Sequence, residues 1–337
     1  MAEVGINTTS KRIEWLDIAK AVAIMGTIGG HTFTQQTLLV CLSYTCFAMF
    51  WIISGYTIKP CNGVRGLLNR TLADFKKMII PAFLVCLLSG VLATLSGEYR
   101  DWNALINNLK QSVTFFVSSN PGMLWFFWAL FWAKLLYRIM LKLGNFRYIP
   151  MIILLVLSLV YSPMHRFPVL LDVSPVGMLF LEMGHLLKVC DRKIANVSKV
   201  KQLLIEGGVL VLALLGTYYL TWTRRLYIDL AGRDYTLQAL LQCVCLMLLV
   251  LFVCKIISLT PASDFISEVG QHTFGILLLH FLDGYWLSPI VEILFDATGF
   301  SNVFLYFGIR VVLLLIVTFV FVKLQDRFFY YINYGKH

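Results

Sequence analysis

About ten stretches of this sequence stay mainly apolar for close to 20 residues, and that pattern leaves few folds open. A helix crossing the hydrocarbon core of a bilayer needs about 20 such residues. The runs 13–34, 38–58, 78–97, 122–141, 148–163, 174–189, 203–222, 236–258, 270–290 and 302–323 qualify, the fifth and sixth being short. In lipid, no water satisfies backbone N–H and C=O groups, so each run must close its own hydrogen bonds as a helix. The expected fold is therefore an all-α integral membrane protein, a single bundle of about ten transmembrane helices. Only 14% of the residues are charged and the mean hydropathy is +0.78, whereas soluble domains keep about a quarter charged. Between the third and fourth runs, 102–117 reads as an amphipathic helix lying on the membrane surface.

The net charge of +10 invites a nucleic-acid reading until the cations are located. With the N-terminus inside, 20 of the 28 Lys and Arg residues fall in inside segments and six in outside segments, while Lys20 and Arg310 lie within runs. This bias is the positive-inside rule, a topology signal rather than a polyanion-binding patch. It predicts that both termini are cytoplasmic. The start reads as a polar tail, 1–12, followed by a retained first helix without a signal-peptide cleavage site. The membrane domain is expected over 13–333, with the aromatic segment 327–331 as a surface anchor. Eight cysteines are present without a Cys-x-x-Cys pair, so neither a disulfide framework nor a metal site is expected.

Ionisable side chains inside spanning runs are costly, and each is a functional candidate. Asp17, Lys20, His31, Glu182, His185, His280 and Arg310 stand in such positions. At about 100° per residue, Lys20 and His31 differ by about 20° after three turns, with Asp17 about 60° to the other side of Lys20. One face of the first helix thus carries an acid, a base and an imidazole, His31 lying about 16 Å beyond Lys20. Asp17 is too far along the axis to touch His31. His185 and His272, near helix ends, read as satisfied polar residues, and Gly26 and Gly30 have the small-xxx-small spacing of close helix packing.

The segment 12–20, followed after ten residues by His31, resembles the opening helix of the acyltransferase-3 family, closest to its fucose 4-O-acetylase-like branch. The family pairs a basic residue with a histidine at this spacing, which Lys20 and His31 match. Further similarities follow in order at Phe50–Tyr56, Lys76–Pro81, Leu124–Phe126, Phe180–Gly184 and Gly270–His280. The sequence departs from the branch at Cys46-Phe47-Ala48, where a His-Met-Pro segment is usual. It also lacks the family's Arg-x-x-Arg before the third helix, and Arg65, Arg70, Lys76 and Lys77 stand in that region.

The resemblance implies transfer of an acetyl or other short acyl group from acetyl-CoA, or another acyl-CoA, to a hydroxyl of a cell-surface sugar or its lipid-linked precursor. His31 is then the expected general base, with Asp17, Glu182 and Arg310 as further catalytic candidates. Lys20, Arg70, Lys76, Lys77 and Trp125 are the candidates for holding the donor, and His280 for the acceptor. Trp128 and Trp132 read as packing or interfacial aromatics. The implied partners are acyl-CoA, a glycan acceptor and the bilayer, with no nucleic acid, and the implied location is the cell (inner) membrane. The competing reading is a proton-coupled secondary transporter, in which the same His, Glu and Arg residues form a relay. The absence of an evident inverted repeat counts against it.

Overall fold

The computed structural model describes residues 12–33, 37–97, 102–114, 124–161, 170–223, 235–299 and 302–334. Among these, all regular structure is helical. The first half comprises α1 (Glu14–Thr32), α2 (Thr37–Thr57), α3 (Gly63–Asp74), α4 (Ile80–Leu95), α5 (Trp102–Thr114), α6 (Trp125–Leu141) and α7 (Tyr148–Tyr161). The second comprises α8 (Ser174–Ile194), α9 (Lys199–Thr223), α10 (Leu237–Ile257), α11 (Ser263–Gln271), α12 (Thr273–His280), α13 (Asp283–Thr298) and α14 (Val303–Tyr334). Among the described residues, five helical stretches are long and apolar enough to cross a membrane: Gly63–Leu95, Gly144–Tyr161, Lys199–Tyr219, Leu237–Ile257 and Val303–Lys323. The expected tail 1–12 lies, apart from Arg12, outside the described residues, as do the side chains of 327–331.

Two elements differ from the sequence expectation. The third run extends toward its N-terminus as α3, and a π-helical turn, Phe75–Ile79, joins α3 to α4. Pro81 has no N–H and its ring crowds the carbonyl four residues back, so a regular α-turn is disfavoured there. The backbone widens instead, with the Ile80 N–H donating to the Phe75 carbonyl. The ninth run, 270–290, is not one helix. It is divided at His272, between α11 and α12, and again at Phe281-Leu282, between α12 and α13. Part of the first break is satisfied by the Thr273 hydroxyl, which donates to the Gly270 carbonyl at 2.7 Å.

The centre of the bundle is α1, packed against α2, α10 and α11, with α2 in turn against α8. Glycines set these distances. A methyl group added at Gly55 of α2 would lie 1.9 Å from the Leu181 carbonyl oxygen, and one at Gly184 of α8 would lie 1.9 Å from that of Ile52. At Gly270 the same construction meets the Asp17 carbonyl oxygen of α1 at 1.8 Å. Helices in lipid gain no hydrophobic energy by associating, so backbone approach at small residues carries much of their packing. Trp51, fully buried, fills the space beside these contacts and stacks between Phe126 and Phe180. The periphery is different. Only 6% of the Lys199–Tyr219 span is buried within the chain, and α7 turns Ile149, Ile152, Ile153, Val156 and Val160 outward. Contiguous apolar surface on this scale fits a lipid environment. Of the stretch 102–117, expected as a surface helix, residues 102–114 form α5, packed on α4, with Leu105 buried and Trp102 and Ile106 exposed, while 115–117 lie outside the described residues.

Gly55→Ala and Gly184→Ala are expected to destabilise the bundle by about 1–3 kcal/mol each through overpacking. Gly207→Ala, with nothing within 4 Å of the added carbon, is expected to be neutral. Thermal unfolding of the three variants in one detergent checks this ranking.

Candidate active site

The polar residues of the core fall into separate clusters, and only one contains His31. Its ring sits at the exposed end of α1, 5.2 Å between centroids from His280 of α12. Behind the pair lie Asp283 and Arg310. His280, Asp283 and Arg310 are all buried, at 5%, 4% and 7% exposure, beside His31, which is an exposed residue of the last turn of α1. His280 Nδ1 is 2.8 Å from Asp283 Oδ2. Arg310 of α14 donates to the same oxygen from Nε at 2.8 Å and from Nη2 at 2.6 Å. Its Nη1 donates to the Thr32 hydroxyl at 3.1 Å, so the guanidinium is also tied to the residue following His31.

The break at Phe281-Leu282 makes this arrangement possible. It ends α12 at His280 and starts α13 at Asp283, so acid and imidazole meet at a helix junction. Interrupted helices within a membrane bundle are tolerated where they are buried in protein or line a cavity, and such interruptions often frame binding sites. Phe127 of α6 packs edge-on against Phe281 and Phe274. Trp125, the first residue of that helix, packs against Phe47 and Phe126. It therefore belongs to the same end of the bundle as His280.

Asp17 and Lys20 lie at the other end of α1. The Asp17 carboxylate is buried and pairs with Arg12 and with Lys20, whose Nζ is 2.7 Å away. Lys20 remains partly exposed. Glu182 of α8 sits in a third cluster. It accepts from the Tyr137 hydroxyl at 2.5 Å, Arg147 Nη2 at 2.7 Å and the Tyr148 hydroxyl at 3.0 Å. Neither carboxylate contacts His31. Both carboxylates are paired with cations of the chain and lie apart from the His31 cluster. His185 lies beside the Glu182 cluster, with its ring edge-on to Tyr137, and His272 is edge-on to Phe319.

Lys76 and Lys77 are exposed on the π-helical turn, and Arg70 is exposed on α3 just before it. Adjacent Asp74 binds Lys134 at 2.9 Å and Arg138 at 2.6 Å, fastening this segment to α6. Trp128 and Trp132 pack into the core. Sequence reasoning thus names His31, His280 and Arg310 as separate candidates, which the structure brings together, but misses Asp283, the residue that joins two of them. The signal was present. Asp283 is an acid inside the run 270–290, three residues from His280, and carries the same burial cost.

His31 thus lies beside a set of buried, mutually paired charges at one end of an apolar helical bundle. The chain matches the acyltransferase domain of the acyltransferase-3 family over residues 13–323 and belongs to that family. No curated protein and no solved structure matches it. Membership supports acyl transfer in a multi-pass membrane protein.

Glu182→Ala removes the partner of a buried guanidinium, a change that typically costs about 3–5 kcal/mol. The variant is expected to melt far below the wild type, whereas Lys77→Ala, an exposed change, is expected to melt with it. Thermal unfolding of the purified proteins reads this difference.

Proposed function

We propose that the protein moves an acetyl or other short acyl group from cytoplasmic acyl-CoA to a hydroxyl of a cell-surface sugar or of its lipid-linked precursor. The single observation that carries this reading is the exposed His31 beside the buried His280–Asp283–Arg310 set, in a chain of the acyltransferase-3 family. In this reading the ten-helix topology holds, both termini are cytoplasmic, and the protein resides in the cell (inner) membrane.

The chemistry follows from the residues. The acceptor hydroxyl oxygen attacks the thioester carbonyl carbon, a C–O bond forms and the C–S bond breaks. His31 takes the hydroxyl proton, which positions CoA to leave as a thiol once that proton is passed on. Neutral imidazole suits this task near neutral pH, and a base so placed typically contributes about 10²–10⁴-fold. Charge developing on the carbonyl oxygen needs a fixed donor. Arg310, held on two sides by Asp283 and Thr32, is that donor, and His280 contacts the acceptor. Lys20, Arg70, Lys76, Lys77 and Trp125 hold the donor molecule. The first four present cations toward the cytoplasm, where phosphates are met by charge-assisted bonds, and the π turn brings Lys76 and Lys77 out to solvent. Lys20 and His31 share a helix face about 16 Å apart, a separation that a long, narrow donor entering from the Lys20 end can span.

Free CoA release from acetyl-CoA by the purified protein tests the reading, with wild type compared with His31→Ala. Wild-type turnover that falls at least about 100-fold in a folded variant is the expected result. Acetyl-CoA that neither binds nor turns over would return the chain to the transporter reading.

A further inference from the structure

A single oxygen organises the His31 end of the bundle. Asp283 Oδ2 meets His280 Nδ1 at 2.8 Å and takes both Nε and Nη2 of Arg310, at 2.8 and 2.6 Å. Three chain segments converge on it: the end of α12, the start of α13 and the third turn of α14. Through Arg310 Nη1 and Thr32 the connection reaches the turn of α1 that bears His31.

The hydrogen-bonding inventory gives this convergence a direction. A carboxylate only accepts, so His280 Nδ1 is the donor and carries the proton. In the neutral ring, Nε2 then holds the lone pair. The His280 ring lies tilted at 50° to that of His31, 5.2 Å away between centroids. Arg310 is likewise constrained, because a planar guanidinium bonded along one edge and again at Nη1 keeps little rotational freedom. Both neighbours of His31 therefore take their orientation from Asp283, whose buried Oδ2 is already occupied by the two of them.

We propose that Asp283 is a positioning residue for acyl transfer. It fixes His280 as the Nδ1–H tautomer, presents His280 Nε2 beside His31, and holds Arg310 in its aim at the reacting carbonyl. The proposal rests on the acyl-transfer reading. It assigns Asp283 no contact with substrate and no proton exchange of its own. The competing role is that of a plain ion pair fastening α13 to α14, which would alter the amount of folded protein and not the turnover of each folded molecule.

Asp283→Asn keeps the shape of the side chain and removes its charge, while Asp283→Glu keeps the charge and displaces the oxygens. CoA release is measured for both in lipid nanodiscs, per folded molecule, alongside nitrogen NMR of the histidine-labelled protein. Asp283→Asn is expected to lower kcat about 100-fold with the KM for acyl-CoA held within about threefold, and Asp283→Glu to recover about tenfold of that loss. The His280 signals are expected to change from one Nδ1–H tautomer to a mixture in the Asn variant. Wild-type kcat per folded molecule in the Asn variant, or an unchanged tautomer, overturns the proposal. Should Asp283→Asn fail to fold, Asp283→Glu decides: about tenfold loss of kcat at constant KM upholds it, and full activity overturns it. Should the wild type release no CoA, the acyl-transfer reading fails by itself. The NMR comparison then still upholds or overturns the hold of Asp283 on His280.

Discussion

A charge taken out of water must find its partner inside the same molecule, and the order of this bundle follows from that requirement. Asp17 pairs locally with Arg12 and Lys20, but four other buried or half-buried acids tie together segments distant in sequence. Asp74 joins the end of α3 to α6, Glu182 joins α8 to the turn before α7, and Asp191 joins α8 to Lys255 of α10 and Tyr56 of α2. Asp283 joins α13 to α14. Such pairs add little net stability, because desolvation offsets most of their attraction, but a wrong packing would strand a charge and cost several kcal/mol. They act on register. Among the clusters, the one around Asp283 differs because it lies beside His31, an exposed residue of the last turn of α1.

Much of the fold is legible in the sequence for one reason: lipid forces apolar runs to be helices. The runs containing α1, α2, α7, α9 and α10 show this directly, since the structure keeps each as one helix close to its expected limits. What fails is continuity where a local backbone demand competes. Pro81 converts one turn of the third run into a π-turn, and the ninth run breaks twice although its hydropathy is unbroken. Hydropathy averages over side chains and is blind to a break that is satisfied by a threonine hydroxyl.

The candidate site divides along similar lines. His31, His280 and Arg310 stand out as ionisable groups in apolar runs, and the structure brings them together. Asp17 and Glu182 stand out by the same rule yet pair with other side chains of the chain away from His31, because intramembrane cost marks a charge as important without saying whether its partner is a substrate or another side chain. Several residues that carry the family resemblance are of this structural kind. Gly55, Gly184 and Gly270 permit backbone contacts that no other residue would fit. Their place in recognisable motifs reports on packing around the site rather than on chemistry in it.

The central claim is that donor and acceptor meet across the bundle, the donor entering at the Lys20 end and the acyl group leaving at the His31 end. Sealed vesicles containing the protein in one known orientation test it most directly, with acyl-CoA supplied to one face at a time and CoA release followed. Turnover only when acyl-CoA is on the face bearing Lys20, Lys76 and Lys77 is the predicted result. Turnover only from the face bearing His31 would contradict the account.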